Sequence, residues 1–408
     1  MLSKTLTIIL AGGAGSRLHP LTIDRAKPAV PFAGKYRIVD FTLSNCLHSG
    51  MRRVLVLTQY KSQSLQKHLR DGWSIFNPEI QEYITVVPPQ MRTGDSWYSG
   101  TANAIYQNLY LLERSGAEHV LILSGDHIYR MDYAAMVKFH VKAGAAATIA
   151  CMDVPVEEAN EFGVMAVNDR HEIVEFQEKP ISPKTLPGHP DRSLVSMGIY
   201  VFSMDILRRE LERDHDDADS SHDFGKNILP RLIDERRAVF EYRFGGKAGR
   251  VTQDRYWKDV GTLDAYYQAN MDLLLPIPPL DLYQADWPIR TYHGQNPPAR
   301  MVPGRTGAQG ELSNSILGAG TIISGGKVRH SILSARVVVE EDAEVDNSIL
   351  LDGVRVGPGA KVQRCIIDKG AYVPPGETVG YDREADLLRK LTVSEQGVVV
   401  VPKGYRFA

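Results

Sequence analysis

Ile8-Ile-Leu-Ala-Gly-Gly-Ala-Gly-Ser-Arg-Leu18 is the stretch that decides the fold of the first part of the chain. It opens with an apolar, β-rich run and ends in three glycines. Glycine permits positive φ and a close approach of the backbone, so the N–H groups of such a turn can converge on phosphate oxygens. The pattern predicts a strand followed by a phosphate-binding turn, which we call the glycine turn: Gly12, Gly13 and Gly15.

Two cations follow the glycine turn. Arg17 comes directly after it, and Lys27 comes ten residues later, before a proline that fixes the direction of the chain. Fixed positive charge is what a polyphosphate needs. A Walker loop is excluded because Gly15 is followed by Ser-Arg, and a dinucleotide fingerprint is excluded because Leu18 replaces its third glycine. The alternative interpretation is a glycine-rich turn without a ligand.

Composition narrows the class of protein. The 408 residues are enough for two or three cores, and 47 basic against 49 acidic residues do not favour a nucleic-acid partner. No apolar run reaches membrane-spanning length, and a strand begins where a signal peptide would have its apolar region. Three widely spaced cysteines suggest buried apolar residues in a reducing compartment. We therefore expect a cytoplasmic protein with no membrane partner.

Short apolar strands alternate with amphipathic helices from residue 6 to about residue 275, which predicts an α/β fold with a mostly parallel, mixed sheet. Ligands of such sheets lie beyond the carboxyl ends of the strands. The predicted strands are Leu6–Leu10, Arg53–Thr58, Tyr83–Val87, His119–Ser124 and Ala146–Cys151, and the predicted helices are Gln63–Leu69, Thr101–Arg114 and Tyr133–Val141.

The last quarter of the chain has a different period. Seven prolines between residues 276 and 303 indicate an extended connection. Beyond it, Ile, Leu or Val recurs at spacings of six, six and five, starting at Ile316, Ile322 and Val328, for four repeats of 17 residues. This period predicts a parallel β-helix. The predicted domains are residues 1–275, a linker at 276–303, and residues 304–408.

Carboxylates at strand ends are the candidate metal ligands. Asp126 follows the buried strand that ends at Ser124, and Asp259 lies just before a predicted helix. Mg²⁺ commonly takes one or two carboxylates plus phosphate oxygens, so this pair predicts a magnesium site beside the glycine turn. The alternative for each residue is a cap at a turn or helix start.

Other polar positions are less specific. Lys179 follows Glu178 at a strand end and is followed by a proline, which places its ammonium where it can bind a phosphate or lie in solvent. Tyr98 precedes a helix and can face a sugar or base, or belong to the core. The acidic run from 214 to 223 lacks ordered ligand spacing, so we expect a solvated loop.

Seven further segments carry a family resemblance. Together with the glycine turn, the chain resembles the sugar-1-phosphate nucleotidyltransferases, and among them the bacterial glucose-1-phosphate adenylyltransferases (ADP-glucose pyrophosphorylases). The segments are Arg25–Val30, Phe41–Cys46, Gly125–Tyr129, Phe162–Met165, Ser196–Phe202, Ser221–Gly225 and Trp257–Thr262.

The resemblance implies a fold and a reaction. The fold is a Rossmann-like (GT-A-like) nucleotidyltransferase domain followed by a left-handed parallel β-helix. The reaction is transfer of AMP from ATP to α-D-glucose 1-phosphate with Mg²⁺, giving ADP-glucose and pyrophosphate, as the committed step of glycogen or other α-glucan synthesis. Sister enzymes that use UTP, dTTP or GTP, and an inactive regulatory subunit, are the alternatives.

The resemblance also implies residue roles. It assigns catalysis to Arg17, Lys27 and Asp126, and metal binding to Asp126 and Asp259. The nucleotide site comprises Leu10, Ala11, Gly12, Gly13, Gly15 and Gln59. The glucose 1-phosphate site comprises Tyr98, Gly163, Glu178, Lys179 and Ser196.

Regulation is a further implication of the resemblance. Family members are typically homotetramers controlled by small anionic effectors, namely sugar phosphates, AMP or phosphate, and Arg37 and Arg364 match effector positions. Asp24 and Pro31 stand where some members have basic ligands. Replacing a cation by an anion weakens the binding of a bisphosphate, so the identity of the activator stays open.

Overall fold

The computed structural model describes residues 1–90, 97–246, 248–251 and 254–407. None of the helices in these residues is long and apolar enough to cross a membrane. The strands of the first part are β1 (Thr5–Ala11), β2 (Pro31–Phe32), β3 (Tyr36–Arg37), β4 (Arg53–Thr58), β5 (Tyr83–Val87), β6 (His119–Ser124), β7 (His127–Tyr129), β8 (Ala147–Pro155), β9 (Gly163–Val167), β10 (Ile173–Glu178), β11 (Arg192–Ser203), β12 (Val239–Arg243) and β13 (Trp257–Asp259). Its α-helices are α1 (Ile38–His48), α2 (Gln63–Trp73), α3 (Thr101–Tyr106), α4 (Leu109–Arg114), α5 (Tyr133–Ala143), α6 (Met204–His215), α7 (Leu229–Asp234) and α8 (Leu263–Met271).

The main sheet is mixed, as predicted. Its parallel half has the order β5-β4-β1-β6, with β1 between β4 and β6. The long strand β11 runs antiparallel to β6 and β8, and the β9–β10 hairpin joins the amino-terminal half of β11. Two apolar clusters cover the two faces of the sheet. The parallel half therefore brings the ends of β1 and β6 to one edge.

The predicted strands are confirmed within a few residues, but one predicted helix is interrupted. The stretch from Thr101 to Arg114 forms two helices, α3 and α4, separated at residues 107–108. Asn108 Nδ2 donates to the Ala104 carbonyl at 2.8 Å and to the Tyr98 hydroxyl at 2.9 Å. A side chain that competes for backbone acceptors in this way favours a break in the helix.

The proline-rich segment packs on the first part. Residues 276–299 contain no helix or strand, and β14 begins at residue 300, inside the predicted linker. Trp287 is buried, and its indole N–H donates to Asn45 Oδ1 at 2.9 Å. Thr291 Oγ1 donates to Asp40 Oδ2 at 2.6 Å, and the other oxygen of this buried carboxylate accepts from the Trp73 indole. The segment is thus held along α1 by buried polar contacts.

The remaining chain winds into a parallel β-helix. Three sheets run along it, with the strand orders β14-β17-β20-β23-β26, β15-β18-β21-β24-β27 and β16-β19-β22-β25-β29-β28. The bounds are β14 (Arg300–Val302), β15 (Glu311–Ser313), β16 (Ile316–Leu317), β17 (Ile322–Ser324), β18 (Lys327–Arg329), β19 (Ile332–Leu333), β20 (Val338–Val339), β21 (Glu344–Asp346), β22 (Ile349–Leu350), β23 (Arg355–Val356), β24 (Lys361–Gln363), β25 (Cys365–Ile367), β26 (Tyr372–Val373), β27 (Thr378–Val379), α9 (Arg383–Leu388), β28 (Thr392–Val393) and β29 (Val399–Val401).

The 17-residue period is confirmed for the later coils and is wrong by one residue in the first. Val328, Val345, Val362 and Val379 stack as predicted, all of them buried. In the first coil, Leu317 pairs with Leu333 and Ile323 pairs with Val339. Each lies one residue after the predicted position, Ile316 or Ile322. The turn after β17 is one residue shorter than its later counterparts, which shifts the preceding positions.

A buried ion pair joins the two parts. Arg25 Nη2 donates to both carboxylate oxygens of Asp368, each at 2.9 Å, and both side chains are almost fully buried. Tyr267 adds a hydrogen bond from its hydroxyl to the Asn347 carbonyl at 2.7 Å. One apolar cluster contains residues of both parts, including Phe41, Tyr266, Ile332, Ile349 and Val400.

We predict that Asp368→Ala lowers the free energy of unfolding by about 3–5 kcal/mol, because it leaves the buried Arg25 guanidinium without a counter-ion. Urea denaturation followed by circular dichroism measures the change. Glu311→Ala, which breaks the exposed pair with Arg329, is the control and should leave the midpoint unchanged. An Asp368→Ala protein with the wild-type midpoint would contradict the importance of the pair.

Candidate functional site

The glycine turn follows β1 and borders a cavity. Gly15 has φ +62°, and a Cβ on it would lie 3.0 Å from Thr22 Cγ2, so both conformation and space favour glycine. Thr22 Oγ1 holds the turn by donating to the Gly15 carbonyl at 2.9 Å. The adjoining cavity of about 180 Å³ is lined by Leu10, Ala11, Gly13, Gly15, Ser16, Arg17, Lys27, Pro28, Asp126 and Gly261.

Asp126 lies at the same sheet edge as the glycine turn, as predicted. Leu10 of β1 pairs with Ser124 of β6, and the next amide, Gly125 N, donates to the Leu10 carbonyl at 3.1 Å. A Cβ on Gly125 would be 3.0 Å from Ile9 Cγ2, so glycine allows this close approach. The Ser124 hydroxyl donates to Asp126 and orients its carboxylate across the cavity.

Lys27 bridges two carboxylates from different strands. The antiparallel pairing of β7 with β13 places Asp259 opposite His127, next to Asp126. Lys27 Nζ lies 2.8 Å from Asp126 Oδ2 and 2.7 Å from Asp259 Oδ1. The predicted pair of carboxylates is therefore brought together, and the predicted catalytic lysine is its common partner.

The charges of this cluster stabilise one another. Burial disfavours the ionised Asp126 carboxylate, but Lys27, His127 and the Ser124 hydroxyl outweigh it, so the pKa of Asp126 lies well below its usual range. Burial likewise disfavours the Lys27 ammonium, yet the two aspartates raise the pKa of Lys27 above its ordinary value. Asp126 is therefore ionised and Lys27 protonated at neutral pH.

Arg17 is the second cation of the cavity. Its guanidinium lies 3.5 Å from Glu161 Oε2 and 4.0 Å from Asp259 Oδ2. Its side chain is more than half exposed, so these contacts are weakly held. The guanidinium is available to a ligand that enters the cavity.

The donor set fits a divalent metal ion. Asp126, His127 and Asp259 each offer one ligand atom, and these atoms lie within 4.8 Å of one another. Carboxylate oxygens beside a space for phosphates are the ligands that Mg²⁺ prefers. Imidazole nitrogen is more typical of transition metals, so the two carboxylates are the residues suited to magnesium.

Gln59 and Tyr98 meet beside the glycine turn. A Cβ on Gly12 would touch Gln59 Cβ at 3.0 Å, so the glutamine packs directly on the turn. Gln59 Nε2 donates to the Tyr98 carbonyl at 3.3 Å, and the Tyr98 hydroxyl accepts from Asn108. The contacts of Tyr98 thus join it to the predicted nucleotide side.

A second polar group lies on the antiparallel half of the sheet. Glu178 of β10 pairs with Gly163 of β9. A Cβ on Gly225 would lie 2.5 Å from Glu178 Oε2, and one on Gly163 would lie 3.0 Å from it, so both glycines leave room for this carboxylate. Burial, and then the charge of Asp223, raise the pKa of Glu178.

Ser196 and Lys179 border this group. Ser196 Oγ accepts from the Gly198 amide at 3.2 Å and lies 3.5 Å from the Tyr200 hydroxyl. Lys179 has φ +48° and an exposed side chain, and its amide donates to the Phe162 carbonyl at 3.0 Å. Trp257 packs between residues next to the two sites: its ring centre is 5.2 Å from that of Phe162, which precedes Gly163, and 5.1 Å from that of His127, which follows Asp126.

Comparison with known proteins places the chain in a family. A family model described as nucleotidyl transferase matches residues 6–275, two thirds of the chain, and a model described as GlmU-like, C-terminal hexapeptide matches residues 297–401. The chain belongs to the nucleotidyl transferase family. The hexapeptide match agrees with the three-sheeted β-helix and with its predicted left-handed winding.

Curated relatives in this family match over the whole chain. One from Vibrio cholerae is 58% identical over 407 residues, covering all of both chains, and one from Vibrio vulnificus is 61% identical over 402 residues, covering 98% of this chain and 99% of the relative. Both are named glucose-1-phosphate adenylyltransferase 2. A relative from Rhodopirellula baltica, named glucose-1-phosphate adenylyltransferase, is 50% identical over 412 residues, covering all of this chain and 92% of the relative. The predicted resemblance to nucleotidyltransferases is confirmed.

Asp223 was not singled out from the sequence, but the structure places it beside Glu178. Its carboxylate accepts from the Gly225 and Lys226 amides and from Thr101 Oγ1. The expectation of a solvated loop at residues 214–223 is wrong at its start, because Asp214 belongs to α6, is 2% exposed and accepts from His222 Nδ1 at 2.9 Å. The motif from 221 to 225 was the available signal, but sequence spacing does not show which of its polar groups faces Glu178.

The two predicted effector residues lie near the contact between the two parts. Arg37 Nη1 donates to the carbonyl and hydroxyl oxygens of Ser64, both at 2.9 Å. Arg364 lies over the Tyr267 ring at 5.6 Å and donates to the Gln396 carbonyl at 3.0 Å. Arg37 and Arg364 therefore have different contact residues, so these contacts do not join them into one site.

We predict that Glu178→Gln raises the thermal midpoint of unfolding at pH 8 and does not change it at pH 4. Burial and Asp223 raise the pKa of the folded Glu178 above its ordinary 4.5. As pH rises past the ordinary value, the unfolded chain loses this proton first, so ionisation destabilises the folded wild type but not the glutamine variant. The gain grows between the two pKa values and is constant above the higher one.

Calorimetry at the two pH values measures the Glu178→Gln difference. Glu158→Gln, at an exposed position, is the control and should change neither midpoint. A Glu178→Gln midpoint at pH 8 equal to or below that of the wild type would contradict the assigned environment.

Proposed function

We propose that this chain is a glucose-1-phosphate adenylyltransferase, which transfers AMP from ATP to α-D-glucose 1-phosphate and releases pyrophosphate. The observation that carries the proposal is the contact of Lys27 with both Asp126 and Asp259 at the edge of the cavity bordered by the glycine turn. The names of the full-length relatives support the choice of ATP and glucose 1-phosphate among the substrates of the family.

The residue types suit phosphoryl chemistry without a general base. A phosphate monoester has a second pKa near 6 and is largely dianionic at pH 7, so the sugar phosphate is already a nucleophile. One of its oxygens attacks the α-phosphorus of ATP, and the bond from this phosphorus to the oxygen bridging to the β-phosphorus breaks. Pyrophosphate leaves with that bridging oxygen. The site then has to position two anions in line and stabilise the charge that grows on the leaving group.

Each polar group at the cavity has a part in that task. The glycine-turn amides, Arg17 and Lys27 bind the triphosphate and stabilise the departing pyrophosphate. Asp126 and Asp259 hold the divalent cation, for which we propose Mg²⁺, and the cation when bound neutralises charge on the reacting phosphates. Gln59 packs against Gly12 and helps to orient the bound nucleotide.

The second polar group suits the sugar phosphate. The carboxylates of Glu178 and Asp223 accept hydrogen bonds from sugar hydroxyls, and Ser196 lies on β11, which pairs with β9, the neighbour of β10. Lys179 carries its charge on an exposed side chain at the end of β10, where it reaches a phosphate. We assign Tyr98 to the boundary between the nucleotide and the sugar, since it contacts Gln59.

Regulation by small anions, a homotetramer and a cytoplasmic location complete the proposal. Arg37 has Arg25 and Asp352 among its charged neighbours, and the same three residues influence Lys369. Arg25 Nη1 is buried without a hydrogen-bond partner among the described residues. This cationic group supports binding of a sugar phosphate, AMP or phosphate between the two parts, with Arg364 as a further candidate.

The test is an assay of the purified chain alone. ATP, UTP, dTTP and GTP are each supplied with glucose 1-phosphate and Mg²⁺, and pyrophosphate release and nucleotide-sugar formation are measured. We expect ADP-glucose from ATP. A preference for another triphosphate would make the chain a sister enzyme, and turnover with none would indicate a subunit that lacks activity.

We predict that Asp126→Asn lowers kcat by about 10²-fold or more, because it removes a charged group from the preorganised site. Steady-state kinetics at saturating ATP and glucose 1-phosphate measures the loss. Asp169→Asn makes the same chemical change at an exposed turn between β9 and β10 and should retain wild-type kcat. Near-normal turnover of Asp126→Asn would remove this residue from the mechanism.

A further inference from the structure

Lys27 and a divalent cation need the same ligands. The lysine ammonium lies within 2.8 Å of one oxygen of Asp126 and of one oxygen of Asp259, and its side chain is 9% exposed. These are the carboxylates that the proposed function assigns to the metal. The protein by itself therefore has one of its own cations between the two acids.

The two cations repel each other if both stay. Mg²⁺ binds carboxylate oxygens at about 2.1 Å, so an ion on Asp259 Oδ1 would lie within about 5 Å of Lys27 Nζ, whichever side it approached from. The carboxylates are about three-quarters buried, so solvent screens this repulsion less than at an open surface. A metal ion gains full use of the carboxylates only when the ammonium has moved.

The cavity offers the ammonium another position. Lys27 lines it together with Gly13, Gly15 and Arg17, where the triphosphate is proposed to bind. A lysine has a flexible four-carbon stem, so the ammonium can turn from the acids to a phosphate oxygen. Arg17 has the same choice, because its guanidinium pairs with Glu161 and Asp259 and also borders the cavity.

We infer that Lys27 excludes the divalent cation from the nucleotide-free protein, so that the metal enters with the nucleotide as a metal–triphosphate complex. The triphosphate draws the ammonium off the carboxylates while the metal that it carries replaces it there. This inference rests on the proposed function for the location of the metal and of the phosphates. Lys27 thus has a second role besides binding phosphate: it prevents the metal from binding before the nucleotide.

Binding of Mn²⁺ to the full-length protein without nucleotide tests the inference. Electron paramagnetic resonance of free Mn²⁺ gives the affinity directly, without any turnover. Lys27→Met should bind Mn²⁺ at least about tenfold more tightly than the wild type, because it leaves two carboxylates with no internal cation. Lys27→Arg keeps the charge and should bind Mn²⁺ as weakly as the wild type does.

Lys258→Met is the matched control. Lys258 is exposed on β13 beside Asp259, and its side chain points to the opposite face of that strand. The substitution removes the same charge close to the site and should leave Mn²⁺ affinity unchanged. Circular dichroism verifies the fold of each variant, and Lys27→Gln replaces Lys27→Met if the latter does not fold.

Two outcomes separate the inference from the function on which it rests. A folded Lys27→Met protein that binds Mn²⁺ no more tightly than the wild type would overturn the exclusion by Lys27. Adding Asp126→Asn to Lys27→Met should abolish the gain, which locates the new site. If Asp126→Asn in the wild-type background does not weaken binding of Mn²⁺ with ATP, the proposed metal site itself is wrong.

Discussion

The contact of one ammonium with two carboxylates is the interaction on which the site depends. Lys27 begins a 3-10 turn before β2, Asp126 follows β6 and Asp259 ends β13. The Lys27 ammonium holds the two carboxylates together. Two ionised carboxylates this close and partly buried repel each other unless a cation lies between them. Lysine supplies that cation in the isolated chain, and a metal ion supplies it in the proposed reaction.

The two halves of the sheet supply different kinds of site. Parallel neighbours β1 and β6 end at one edge, where glycines let the backbone approach a phosphate closely. The antiparallel half carries Glu178 on β10 and Ser196 on β11, the residues that we propose bind the sugar hydroxyls. Trp257 of β13 contacts the rings of both Phe162, just before β9, and His127, next to Asp126.

The sequence predicted those features of the fold that depend on short stretches of chain, such as strand ends and turns. The glycine turn and Asp126 face each other because parallel strands end together, a rule that needs no knowledge of the rest of the chain. The contact of Lys27 with Asp259 depends on the β7–β13 pairing, which joins residues more than 120 positions apart and leaves no periodic signal. Asp214 is buried and accepts hydrogen bonds from His222 and Ser220. Composition alone cannot distinguish such a residue from one in a solvated acidic run. The predicted register of the first coil was wrong by one residue because the turn after β17 is one residue shorter, although the apolar residues recur in both registers.

The stretch from Arg25 to Lys27 joins the contact between the two parts to the reaction site. Arg25 is held in the buried pair with Asp368, and Lys27, two residues later, is held between the carboxylates of Asp126 and Asp259. Between them, Ala26 N donates to the Lys61 carbonyl at 3.2 Å, which leaves this short stretch little freedom. An anion that competed with Asp368 for Arg25 would therefore act on a residue two positions from Lys27. The effect of such an anion on Lys27 equals the difference between its binding free energies for two arrangements of this stretch, since a ligand shifts an equilibrium only by binding its two states differently.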